Sequence, residues 1–347
     1  MKESLIMKIA VLGCKGTTID FIHRLKMGGI VDVALVISIP QEIAEKNKVA
    51  FYEGAALKEY CAANNIKFHE VAHYALTDEA DQKFIAEQNL DLMLVIGWER
   101  LLPDAVLQSL KYFACGMHGS AFGLPRGRGR SPLNWSLIQG LSKFTTSLFR
   151  YTPGVDDGDI IGSQTFDVNQ FDDISSLHIK NRIAMVNLVE TYVPKIANGE
   201  IAFQPQPPTM PTFYPKRTAE DGQIDWSMNA EEIYNLVRAV KPPYPSAFSF
   251  INGKKLLIGN AAPFDTGVFY RKKSGEILDI SLAENKLIVQ CGKGTILLSE
   301  ISGIAINELK IGDIFDSFSN KKNMAEIVKR YDSSIAPEQW EIYAEKE

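Results

Sequence analysis

The chain opens with short apolar runs separated by longer amphipathic stretches. Lys8–Gly13, Asp32–Ser38, Leu92–Trp98 and Tyr112–Gly116 are near-continuous apolar runs, the pattern of strands buried on both faces of a parallel sheet. Between them, Ile19–Met27, Glu53–Asn64 and Asp78–Asn89 carry helical periodicity, Ile66–Val71 reads as a short strand, and Pro103-Asp104 starts another helix. Further on, a helix over Pro132–Gly140 precedes strands over Thr145–Tyr151 and Ile160–Phe166 and a long helix over Ile174–Ile196. Strands alternating with helices predict an α/β fold with a doubly wound, mostly parallel sheet, in which ligands bind at the carboxyl ends of strands.

The pattern changes after a proline-rich passage, Pro205-Gln206-Pro207-Pro208-Thr209-Met210-Pro211. Dense prolines hold a chain extended and remove donors, so this is the predicted boundary. A helix over Ala230–Val240 is followed by short strands with glycine turns: Ala247–Ile251, Lys255–Ile258, Gly275–Ser281, Lys286–Cys291 and Thr295–Ile301. Such a series predicts a small open β-barrel. The division expected is a catalytic domain over 1–204, a linker over 205–212, a barrel domain over 213–310 and a helical tail over 311–347.

At 347 residues, 46% apolar and 23% charged, the chain suits a large domain plus a smaller one. No apolar run approaches the roughly 20 residues of a membrane span. Met1–Ile6 is too short and too acidic for a signal peptide, so a cytoplasmic location is expected. The four cysteines, Cys14, Cys61, Cys115 and Cys291, are scattered, which predicts buried thiols, no disulfide and no metal. A net charge of −5 argues against a nucleic-acid partner, although Arg126, Arg128 and Arg130 form a local basic patch that suits a pyrophosphate or a carboxylate.

Candidate chemistry lies in two glycine-rich passages predicted to be loops, Gly116-Met117-His118-Gly119-Ser120 and Gly154-Val155-Asp156-Asp157-Gly158-Asp159. A histidine oriented by an aspartate can accept the proton an attacking amine sheds and stabilise developing negative charge. The same residues also serve as turn formers bonded to local backbone. His23, His69, His73 and His178 lack partners in sequence and read as structural or exposed. Gly13-Cys14-Lys15-Gly16 falls short of a dinucleotide fingerprint.

Gly97-Trp98 with Leu101, His118-Gly119-Ser120 with Leu124-Pro125 and Arg126-Gly127, and then Asp156-Asp157-Gly158-Asp159-Ile160 resemble the family of formyltransferases that use 10-formyltetrahydrofolate. A second block, Tyr214-Pro215-Lys216-Arg217-Thr218 through Asp225-Trp226 to Pro243-Tyr244-Pro245-Ser246, resembles the junction and C-terminal domain of its tRNA and sugar branches. The resemblance implies an oligonucleotide-binding-type (OB-like) barrel and an amide-forming one-carbon transfer without a covalent enzyme intermediate. It implies His118 and Asp156 as the catalytic pair, with Asp157 and Asp159 as rivals for the carboxylate. Val95, Ile96, Gly97, Trp98, Leu101 and the main chain at Asp157 would line the folate pocket, with plain core packing the alternative for the aliphatic residues. Arg128, Lys216 and Arg217 are candidates for substrate contact. The chain departs from the family at Gly116, where an oxyanion-binding asparagine belongs, and Asn134, Ser120 or the backbone at Gly116 are the candidate replacements. The glycine-rich Arg126–Arg130 loop is most similar to the sugar N-formyltransferases. The expected acceptor is therefore a nucleotide-linked amino sugar, for surface polysaccharide synthesis, and a homodimer is a candidate assembly because that branch is often dimeric. Methionyl-tRNA formylation and a folate- or nucleotide-binding protein without activity are the alternatives. No sustained basic run, as a tRNA reader would need, occurs from Phe213 to Glu347.

Overall fold

The computed structural model describes residues 7–29, 31–265, 267, 270–331 and 334–343. The segment Met1–Ile6, read above for a signal peptide, lies outside them. The first half runs β1 (Lys8–Leu12), α1 (Gly16–Gly28), β2 (Asp32–Ser38), α2 (Gln41–Lys46), α3 (Gly54–Ala63), β3 (Lys67–Glu70), α4 (Glu79–Glu87), β4 (Leu92–Val95), α5 (Asp104–Gln108), β5 (Phe113–Ser120), β6 (Arg128–Gly129), α6 (Pro132–Ile138), β7 (Lys143–Arg150), β8 (Ile160–Asp167) and α7 (Ile174–Ala197). The second half contains β9 (Phe213–Tyr214), α8 (Ala230–Ala239), β10 (Ala247–Ile251), β11 (Lys254–Asp265), β12 (Ile277–Ser281), β13 (Lys286–Gln290), β14 (Thr295–Ser302) and α9 (Asn320–Tyr331).

Seven strands form one sheet in the order β3-β2-β1-β4-β5-β7-β8, with β7 antiparallel to both its neighbours and the rest parallel. Its central strands β1, β2 and β4 are almost wholly apolar because helices cover both faces, whereas the edge strands β3 and β8 carry polar residues. Ile9, Val11, Leu92 and Leu94 pack under α1 and α7, whereas Ala10, Leu12, Leu35 and Met93 face the opposite side, towards Ile85 of α4 and Val106 of α5. The strand order reverses between β1 and β4, which places the loops after these strands at the crevice where ligands bind.

The five C-terminal strands form an antiparallel sheet in the order β10-β11-β14-β13-β12. This sheet does not have a core of its own. Leu133 and Leu137 of α6, Phe144 of β7 and Ile174 and Leu177 of α7 join Ile233, Val237, Ile258, Val289 and Leu298 in one continuous cluster. α8, capped by the reciprocal Asn229–Glu232 pair, is the element wedged between the two halves. The proline-rich passage is equally bound down, since Gln204 bridges to Ile160 and Thr212 to Arg128.

Two local expectations are corrected. His118 was expected in a loop, yet β5 continues through it to Ser120, pairing His118 with Ser147 of β7. The glycines permit this because they sit under aromatic rings: a Cβ at Gly116 would fall 2.4 Å from the Phe149 ring, and one at Gly119 2.2 Å from the Phe144 ring. The tail is α-helical only over α9, with 3-10 turns at Pro337–Gln339 and Glu341–Tyr343, residues 311–319 non-helical and 332–333 and 344–347 outside the description.

Candidate active site

His118 projects from the end of β5 between two oxygen acceptors. Its Nδ1 lies 3.4 Å from Asp156 Oδ2, and its Nε2 lies 2.8 Å from the carbonyl oxygen of Gly127. A ring carrying one proton can donate in only one of these directions; the imidazolium serves both. The side chains are mostly sheltered, with 11% exposure at His118 and 24% at Asp156.

The loop from Tyr151 to Asp159 brings Asp156 to this position. It returns so tightly that a Cβ at Gly158 would lie 1.7 Å from the Arg150 carbonyl oxygen, and one at Gly154 1.9 Å from the Asp157 carboxylate. Asp156 itself adopts φ +49°, in the left-handed region that few side chains tolerate. Asp157 turns back onto the Thr152 hydroxyl, so Asp156 is the aspartate of this loop that faces His118. Burial, followed by the Asp156 charge, pushes the neighbouring Tyr151 hydroxyl up to about 12.

Gln206, within the proline-rich passage, clamps the loop from outside. Its Nε2 donates to the carbonyls of Asp156 (2.7 Å) and Gly158 (2.9 Å), while its Oε1 accepts from Arg128 at 2.6 Å. Arg128 is partly buried; desolvation lowers its pKa, opposed by the carboxylates of Asp157 and Asp156. Its Nε is buried without a partner, as is the indole N–H of Trp98. Orphaned buried donors of this kind call for an acceptor from an ordered water or a ligand.

The three arginines expected as an open basic patch are each engaged. Arg126 pairs with Glu341 at 2.7 Å, Arg128 with Gln206, and Arg130 with Glu99 at 2.8 Å. Glu99 also meets Lys15 at 2.5 Å, which ties the loops after β1 and β4 together at the crevice. Burial would raise the Glu99 carboxyl, but Lys15 and Arg130 outweigh it and hold the group below the usual range. A cavity of about 540 Å³ is walled by Leu107, Leu110, Ala114, Tyr151, Thr152 and Asp157, between the amino end of β5 and the Tyr151–Asp159 loop, and neither His118 nor Asp156 lines it.

Not all candidates converge on the pair. Val95 and Ile96 are buried in the two opposite cores of the sheet, Trp98 packs edge-on against Tyr74, and Leu101 is exposed; of the folate candidates only Asp157 lines the cavity. Gly97, at φ +75°, turns the chain after β4. Asn134 spends its amide on the Ala239 carbonyl at 2.7 Å, within the contact between α6 and α8. The Ser120 hydroxyl accepts from the Phe122 N–H at 3.1 Å, and Gly116 is covered by Phe149. Arg217 lies over the Trp135 ring and bonds to the Asp221 carbonyl, while Lys216 is exposed beside it. Sequence reasoning missed Gln206, Gly127, Glu99 and Glu341. Gln206 had one signal, a lone amide between prolines; the others act through contacts distant in sequence. All four cysteines are buried, with the Cys14 and Cys61 thiols pushed up to about 11 by burial. Among the described residues, no acidic, histidine or cysteine cluster could hold a metal, and no helix is long and apolar enough to cross a membrane.

Residues 7–193 match the formyl transferase family, and residues 216–319 match its C-terminal domain. The chain belongs to the formyl transferase family, the enzymes that move formyl groups. Solved structures share the fold at low identity. HypX from Aquifex aeolicus in complex with tetrahydrofolic acid matches at TM-score 0.57 and 20% identity, over 93% of this chain and 48% of that one. An N-formyltransferase from Helicobacter canadensis, solved with folinic acid and dTDP-3-aminofucose, matches at TM-score 0.60 and 15% identity, over 86% and 100%. A sugar N-formyltransferase from a Shewanella species matches at TM-score 0.54 and 12% identity, over 73% and 96%. The formyltransferase thus spans about half the length of the HypX structures it matches.

Proposed function

We propose that this formyltransferase moves the formyl group of 10-formyltetrahydrofolate to the primary amine of a nucleotide-linked amino sugar in the cytoplasm, yielding an N-formyl sugar for surface glycan synthesis. The observation that carries the reading is the His118–Asp156 pair, a sheltered 3.4 Å contact between the carboxyl end of β5 and the Tyr151–Asp159 loop, in a chain of the formyl transferase family. When bound, the folate supplies an activated formyl carbon. Trp98 and Arg128 offer buried unpaired donors to its polar groups or to those of the acceptor.

The residues then divide the work. Asp156 Oδ accepts the proton that the attacking amine sheds as its bond to the formyl carbon forms, and returns it to the departing tetrahydrofolate nitrogen as the old carbon–nitrogen bond breaks. His118, held between Asp156 and the Gly127 carbonyl, is placed to stabilise the charge developing on the formyl oxygen, the task an asparagine amide at position 116 would otherwise share. Gln206 keeps the Asp156 loop in place, and the packed loop excludes water from the reacting centre.

The sugar acceptor is supported by one neighbour described as a sugar N-formyltransferase and by an N-formyltransferase solved with dTDP-3-aminofucose. The absence of a basic run in residues 213–347 disfavours tRNA. Incubation with 10-formyltetrahydrofolate and a panel of UDP-, dTDP-, GDP- and CMP-linked amino sugars, beside methionyl-tRNA, tests this by mass. Gain of one formyl group on a sugar nucleotide, lost in H118A, establishes the reaction. Gain on the tRNA alone overturns the sugar reading, and folate binding with no product identifies a binding protein.

A further inference from the structure

Beyond residue 319, where the match to the C-terminal family domain ends, the chain returns to the catalytic domain. Two short 3-10 turns, Pro337–Gln339 and Glu341–Tyr343, flank Trp340, which is 1% exposed and bridges in parallel to Phe213. The Glu341 side chain is completely buried. A carboxylate out of water needs partners for its charge, and every side chain that satisfies this one belongs to, or holds, the loop that carries Gly127. Oε1 accepts from Arg126 at 2.7 Å; Oε2 accepts from Arg126 Nε at 3.3 Å and from the Thr212 hydroxyl. Thr212 Oγ1 in turn accepts from the Gly127 N–H at 2.9 Å, and the Gly127 carbonyl accepts from His118 Nε2 at 2.8 Å. Gly127 sits at φ +72°, and a Cβ there would fall 2.6 Å from Ser120 Cβ, so only glycine can join the anchored N–H on one side to the carbonyl facing His118 on the other.

We propose that Glu341 is a positioning residue, which, through Arg126 and Thr212, fixes the Gly127 carbonyl at Nε2 of His118. The inference rests on the reading of His118 and Asp156 as the catalytic pair. Without the carboxylate, Thr212 Oγ1 and Arg126 lose their shared partner and the peptide on the N-terminal side of Gly127 loosens; the peptide on its other side keeps the Arg128 N–H bond to the Thr212 carbonyl, so the Gly127 carbonyl shifts against Nε2 rather than leaving it. The side-chain partners of Glu341, Arg126 and Thr212, are not among the folate candidates Val95, Ile96, Gly97, Trp98, Leu101 and Asp157, so donor binding stays intact.

The test uses full-length E341L, which removes the acceptor, and E341Q, which keeps its size and an uncharged oxygen. In E341L, kcat should fall by about 10–100-fold, the usual effect of removing a group that orients an active-site side chain, with KM for the folate within about twofold. E341Q should recover part of the loss. Histidine ring ¹⁵N spectra of the ligand-free protein, with the His118 resonances identified by their loss in H118Q, should show Nε2 of His118 displaced in both variants and the other four rings unmoved. An unmoved His118 signal in a folded variant overturns the proposal, as does a KM increase that accounts for the whole loss. If E341L does not fold, E341Q decides alone. A wild-type protein that formylates no acceptor sinks the functional reading instead, and the spectra still decide the linkage.

Discussion

Asp156→Asn isolates the charge of the proposed catalytic pair from the shape of its loop. Asparagine is, after glycine, among the residues most tolerant of the left-handed region, so the φ of +49° survives. The main chain at 156 also keeps its bond from Gln206 at 2.7 Å. What disappears is one negative charge 3.4 Å from the imidazole. At an effective dielectric of about 20, two unit charges at this separation attract by about 5 kcal/mol. With Asp156 24% exposed, solvent screening reduces the useful part to about 1–3 kcal/mol. Each 1.36 kcal/mol is worth roughly tenfold in rate, so lost charge stabilisation alone costs about 5–150-fold. Loss of the proton acceptor adds about 10²–10⁴, and because groups acting as a unit do not add fully, a kcat reduction of about 10³ is expected. Single-turnover conversion of 10-formyltetrahydrofolate, with thermal melting as the folding control, reads this directly. A folded D156N with kcat within about threefold of wild type would refute the assignment and move suspicion to Asp157 or Asp159.

Other perturbations follow from the same geometry. Gly116→Asn forces side-chain atoms into the Phe149 ring, so it should cost about 1–3 kcal/mol in a urea titration and leave formyl transfer no faster than wild type. Gly158→Ala places a methyl 1.7 Å from the Arg150 carbonyl; activity should collapse as Asp156 leaves His118, visible as loss of turnover in a protein that still melts cooperatively. Glu99→Gln leaves Lys15 and Arg130 without their shared counter-charge and should lower stability at pH 7 by about 1–3 kcal/mol. Because the Glu99 carboxyl is held below its unfolded value, this stability is present above that value, near 4.5, and is lost as pH falls through the lower folded one; urea midpoints of wild type and E99Q should converge in that acid window. Gln206→Leu should lower kcat in single-turnover assays and lower the melting temperature by roughly 2–4 °C, since the Gly158 carbonyl it releases is buried.

The sheet was legible because parallel strands buried on both faces are written as apolar runs, and each run from Lys8 to Cys115 became a strand. Short elements were not. α2 is a single six-residue helix between Pro40 and Lys48, too short for a periodic signal. The His118 passage misled for a definite reason: glycine reads as loop, but at Gly116 and Gly119 it makes room for rings from β7, information held in Phe144 and Phe149 about thirty residues away. The histidine and the aspartate could be paired from sequence through the family pattern alone, because nothing local in either segment points to the other.

What supports that pair is still less local. The Gly127 acceptor is held by Thr212 and Glu341, and the Asp156 loop is held by Gln206, so two of the clamps come from a passage whose prolines suggested a spacer and a third from the end of the described chain. Prolines are compatible with both roles: a segment without internal hydrogen bonds has its remaining donors and acceptors free, and laid across a site it spends them on whatever it covers. The composition that marks a linker therefore also marks a strap, and the two are distinguished by where the polar residues between the prolines find partners. Here Gln206 and Thr212 find theirs on either side of the His118–Asp156 contact, which explains why a departure at Gly116 can coexist with an otherwise ordered centre. The space that an asparagine would use belongs to Phe149, and the imidazole is fixed instead by oxygens supplied from the two loops beside it.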